Sequence, residues 1–133
     1  MRGDDGFGPM LYDLLLPRAG QSFLPLNGGE MPESFTSKIK AFAPDCLIIA
    51  DAIVAQENAP AWAVLGESDI SGASLSTHTL PLDIVIKFLK EDLPALQIIF
   101  IAAAAKNTDF GAELSPQIKT AAKEAAAEIR SIL

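Results

Sequence analysis

Three carboxylates and one imidazole are the side chains whose types and positions could do chemistry in this sequence. Asp4 and Asp5 stand in Gly3-Asp4-Asp5-Gly6, ahead of an apolar helical pattern. Asp51 ends the run Cys46-Leu47-Ile48-Ile49-Ala50, and His78, the single histidine, stands just before Leu80-Pro81-Leu82. All of them fall where a strand gives way to a helix or a loop, so a parallel sheet can gather them along one edge. Two carboxylates and an imidazole make a facial metal site with open positions. The same trio could instead position and deprotonate a water for hydrolysis. Each residue also has a plainer role. Asp4 and Asp5 are natural helix caps, Asp51 suits a turn, and a lone histidine in a polar loop is more often a surface residue than a ligand.

Other constellations are weaker. Asp4-Asp5-Gly6 resembles a fragment of a calcium loop, without its regularly spaced oxygens or terminal Glu. Ser76 lies two residues from His78, but no Gly-x-Ser-x-Gly elbow presents a nucleophile. Cys46 opens an apolar run expected to be buried, which makes it a poor nucleophile. Trp62, between two alanines, reads as sheet packing. Glu30 and Glu33 read as charges at a helix start.

The elements that must position these residues follow from periodicity. Met10, Leu11, Leu14 and Leu15 mark one face of a helix over about residues 8–16, with Pro17 at its end. Phe23 to Leu26 reads as a short strand, followed by the turn signal Asn27-Gly28-Gly29. Phe35, Ile39 and Phe42 form a stripe on a helix starting at Pro32, with Lys38 and Lys40 solvated. The run ending at Asp51 reads as a central strand buried on both faces. Trp62 to Leu65 reads as an antiparallel edge strand, because the connection before it is too short for a crossover helix.

A polar stretch from Gly66 to Ser76 then leads to a helix starting at Pro81, with Leu82, Val85, Ile86 and Leu89 inward. Leu96 to Ala102 is the most apolar strand. Ser115-Pro116 caps a last helix with Ile118, Ala122, Ala125, Ile129 and Ile132 as its inner face. Alternation of this kind predicts a mainly parallel sheet covered by helices on both sides. Without repeats or linkers, residues 1–133 read as a single domain.

Composition narrows the function classes. Half the residues are hydrophobic and one fifth charged, an ordinary globular balance. Ten Lys and Arg against seventeen Asp and Glu give a net charge of −7, which argues against nucleic acid as a partner. No apolar run is long enough for a membrane span, and the N-terminus has no signal-peptide core. A single cysteine points to a reduced, cytoplasmic setting. Gly6-Phe7-Gly8 alone is too common to mark a nucleotide site.

Four segments in register then carry a resemblance. Gly3-Asp4-Asp5-Gly6-Phe7-Gly8-Pro9, Asn27-Gly28-Gly29-Glu30-Met31-Pro32-Glu33, Ile48-Ile49-Ala50-Asp51-Ala52 and Ser76-Thr77-His78-Thr79-Leu80-Pro81-Leu82 together resemble the hydrogenase maturation proteases, in particular the hydrogenase 3 type branch. Leu114-Ser115-Pro116 before a long helix fits as well. The resemblance spans essentially the whole chain. It implies a three-layer α/β/α sandwich, mainly parallel with one antiparallel strand. It also implies an endopeptidase that removes the C-terminal extension of a nickel–iron hydrogenase large-subunit precursor after nickel insertion.

The family's metal positions fall on Asp5, Asp51 and His78, and the catalytic carboxylates on Asp5 and Asp51, as an aspartic-type or metal-dependent peptidase. The nickel is then presented by the substrate protein as a recognition element, and the enzyme is expected to be a monomer. Members normally begin with a hydrophobic strand and a Gly-x-Gly-Asn turn, which this sequence does not carry, so the expected sandwich lacks its N-terminal strand. Ala102-Ala103-Ala104-Ala105-Lys106 stands where the family has a Gly-Ile-Gln-Pro-like segment. Two further readings stay open: a truncated, non-catalytic relative that binds the precursor, and a different metal-dependent hydrolase on the same scaffold.

Overall fold

Three apolar strands form the sheet that the helices cover. The computed structural model describes residues 6–27, 32–54, 58–72, 82–105 and 115–133. Strands β1 (Cys46–Val54), β2 (Trp62–Gly66) and β3 (Gln97–Ala105) lie in the order β1-β3-β2. β3 runs parallel to β1, with Asp51 opposite Ala102, and antiparallel to β2, with Val64 opposite Ile101. The helices are α1 (Phe7–Leu15), α2 (Pro32–Phe42), α3 (Glu67–Gly72), α4 (Leu82–Asp92) and α5 (Pro116–Ser131), with a 3-10 turn over Leu16–Arg18.

Side-chain alternation along β3 divides the interior into two cores. Ile101 and Ala103 join Phe7, Leu11 and Leu15 of α1 and Ile118, Ala122, Ala125 and Ile129 of α5. Ile98, Phe100 and Ala102 join Ile39 of α2 and Val85, Ile86 and Leu89 of α4. The result is an α/β/α sandwich with a mixed sheet. Four buried alanines on α5, at positions 121, 122, 125 and 126, give it a smooth face against which α1 lies. Ser115 starts α5 as its N-cap, with its side chain accepting the Ile118 amide and Pro116 in the first turn.

Several expectations are corrected. Phe23 to Leu26 is not a strand; Phe23 makes only an isolated bridge with Gly20. Pro25 has no amide to donate, and no strand among the described residues lies beside this segment. β1 is an edge of the described sheet rather than its centre, which β3 occupies. Its residues Leu47 to Asp51 are accordingly half-buried. β1 also runs three residues past Asp51, because Ala52, Ile53 and Val54 continue the ladder against Ala103, Ala104 and Ala105.

The polar stretch after Gly66 opens with α3 instead of a loop. The Asp69 carboxylate accepts the Gly66 amide at 2.9 Å, which caps the helix start. Cys46 is exposed, because the strand's first residue clears the covering helices. Ile132 lies beyond the last turn of α5 and is 72% exposed, so it drops out of the inner face. Lys40 is not simply solvated. It pairs with Asp92 at 2.8 Å and lies 3.5 Å from the centre of the Phe88 ring.

Candidate active site

Asp51 is held by a strand whose two faces are both committed to packing. Ile48, Ala50 and Ala52 turn toward the α1–α5 core, while Leu47, Ile49 and Ile53 turn toward the α2–α4 core. By alternation the Asp51 side chain shares the second face. It is half-buried, and its Oδ1 accepts the amide of Ala52 at 2.8 Å. That bond to the next residue orients the carboxylate and favours its charged form. The turn role considered for Asp51 is therefore replaced by a place inside a strand.

Two helix starts converge on the same end of the sheet. A Cβ built on Gly8 would lie 3.1 Å from the carbonyl oxygen of Ala50, so the first turn of α1 touches β1 backbone to backbone beside Asp51. Asp5 precedes Gly8 by three residues, a reach of at most about 11 Å. On the other face, the last turns of α2 and α4 are tied by the Lys40–Asp92 pair. Lys90 of α4 also donates to Glu67, at the start of α3, at 2.7 Å. These ties fix the C-terminal end of α4 at the amino edge of the parallel pair. α4 therefore begins toward the carboxyl edge, where Asp51 lies.

Of the residues singled out in the sequence, Asp51 alone belongs to the described part. Asp4, Asp5, Glu30, Ser76 and His78 lie outside the described residues, as does the Asn27-Gly28-Gly29 turn past Asn27. Among the described residues no three of His, Cys, Asp and Glu gather into a metal-binding group. Chemically, two carboxylates and one imidazole suit a borderline divalent cation that brings further donors of its own. Asp51, with one oxygen already fixed by an amide, has the rigidity such a contact needs.

Cys46 is solvent-facing, and desolvation raises its thiol above the ordinary range, so it is a weak nucleophile for a reason other than the burial expected. Trp62 packs against the α1–α5 core, as its setting suggested. The sequence reading missed Gly8. Its signal was a glycine in the first turn of a helix, a place where a side chain is normally tolerated.

The arrangement matches known proteins over most of its length. The family model for hydrogenase maturation protease matches residues 19–132. Hydrogenase 3 maturation protease of Escherichia coli K12 is 30% identical over 122 residues, covering 91% of this chain and 77% of that protein. The crystal structure of a nickel–iron hydrogenase maturation protease, HycI, from Thermococcus kodakarensis KOD1 superposes with a TM-score of 0.84 at 36% identity, over 99% of this chain and 85% of that one. The solution structure of the endopeptidase HycI from Escherichia coli gives a TM-score of 0.76 at 28% identity, over 96% of this chain and 81% of that one.

Proposed function

Because the chain belongs to the hydrogenase maturation protease family, and so to a group of peptidases that act in hydrogenase maturation, we propose that it removes the C-terminal extension of a nickel–iron hydrogenase large-subunit precursor in the cytoplasm. Nickel, already held by the precursor, is the recognition element. Asp5, Asp51 and His78 meet that nickel, and Asp5 and Asp51 serve the hydrolysis. The observation that carries this reading is Asp51 itself: a half-buried carboxylate inside an otherwise apolar strand, beside the backbone contact that brings in α1. A carboxylate withdrawn this far from water contributes nothing to packing, and its placement costs stability unless it serves a ligand.

Within this reading the chain supplies orientation and a base. Asp51 is pinned through Oδ1 by the Ala52 amide, so its position does not depend on the substrate. Hydrolysis needs a water held against the scissile carbonyl and a carboxylate to take its proton. Asp5 and Asp51 are the two carboxylates that fill this role, whereas His78 contributes only to holding the nickel-bearing partner.

The test is capture of nickel-loaded precursor by immobilised protein. Wild type retains the precursor, and Asp51→Ala and His78→Ala lose at least tenfold in affinity. Unchanged capture by both variants would sink the nickel-contact assignment.

A further inference from the structure

The free side of β1 borders a cavity of ≈ 750 Å³. β3 occupies one edge of β1 along all nine residues, so the cavity lies on the other. Its walls come from both helical layers, with Leu11 and Leu15 of α1 and Ile39 and Phe42 of α2, and it is bounded as well by residues 21–27. It is thus a slot at the level of the sheet. A strand buried on one edge and open on the other presents unpaired ladder groups, a template for one more strand.

The boundary at residues 21–27 decides what fits. One extended segment can enter between that boundary and β1, whereas the broad edge of a second copy of this domain cannot. Because the slot is covered from both layers, its occupant must be apolar on both faces. The charged lining residues are Asp45 and Asp51, six positions apart, with no Lys or Arg among the lining. Six residues of strand span about 20 Å. We infer that this slot is a strand-acceptor site for another polypeptide: an extended segment with about five apolar residues between two basic ones, added to the sheet beside β1.

The experiment uses the full chain and a synthetic peptide of five alternating Val and Ile residues between two lysines. A second peptide has the same side chains and alternate N-methylated amides, which removes ladder donors without changing the apolar surface. The expected result is saturable one-to-one binding, at least tenfold slower amide exchange at alternate residues between Leu47 and Ile53, and at least tenfold weaker binding of the methylated peptide. Equal binding of the two peptides would reduce the slot to a general apolar cavity and overturn the inference. Failure of either peptide to bind overturns it too. So does slow exchange of these amides in the free protein, whether constant, which means the chain covers its own edge, or rising with concentration, which means a second copy does.

Discussion

The Gly8 Cα and the Ala50 carbonyl oxygen stand so close that a Cβ on Gly8 would come within 3.1 Å of that oxygen. This contact joins the first turn of α1 to β1 one residue before Asp51. A methyl here gains helix propensity of about 1 kcal/mol over glycine and loses a similar amount to crowding. A β-branched side chain has no such offset. Gly8→Val is expected to lower stability by about 1–3 kcal/mol in urea unfolding, with Gly8→Ala close to neutral. Equal stability of the valine variant would mean that α1 can slide away from β1.

Ala43 has a positive φ of 51°, in the position after Phe42 that closes α2, and its amide donates to Ile39 at 2.9 Å. An L side chain in the left-handed region is strained by about 1–2 kcal/mol, part of which glycine gives back through its greater freedom in the unfolded chain. Ala43→Gly should therefore raise stability by about 0.5–1 kcal/mol, read as a higher melting temperature. A lower one would show that this residue's methyl packs usefully.

Lys40 connects the two helices of one layer through Asp92 and the Phe88 ring. The Asp92 side chain is 64% exposed, so the ion pair is weak and the ring contact adds a comparable amount. Lys40→Ala is expected to cost about 1 kcal/mol, with part of the loss absent in 1 M salt. Lys40→Met separates the two parts, because it keeps the stem over Phe88 and loses only the charge.

How much of this was legible in the sequence depended on whether the signal was local. Leu11 and Leu15, Val85 with Ile86 and Leu89, and Ile118 with Ala122 and Ala125 are buried as their helical spacing requires. Trp62 lies in the antiparallel strand that its short connection implied. The errors arise where a neighbour decides. Leu47 to Ala50 are apolar enough for a strand buried on both edges, yet pairing on one edge only leaves them half-buried. Phe23 to Leu26 has strand composition but no strand to join among the described residues. α3 depended on a cap from Asp69 that composition alone does not reveal. Of the site, Asp51 was legible as a carboxylate closing an apolar run, whereas the Gly8 approach to Ala50 was invisible until both elements had been placed.

Cys46 offers a pH-dependent check. Desolvation disfavours its thiolate, so the thiol titrates above the ordinary range even though the residue is exposed. Alkylation by iodoacetamide should be slow at neutral pH, and its rate should rise through a midpoint higher than that of a free cysteine peptide measured alongside. A midpoint at or below the peptide's would mean that a positive group approaches the sulfur.

The most direct measurement follows the intact mass of a hydrogenase large-subunit precursor incubated with this protein, with and without nickel loaded. The account predicts loss of the C-terminal extension from the nickel-loaded precursor alone. It also predicts that Asp51→Asn slows this cleavage at least about 100-fold while leaving the unfolding midpoint close to wild type. Cleavage of the nickel-free precursor at the same rate, or full activity of folded Asp51→Asn, would contradict it.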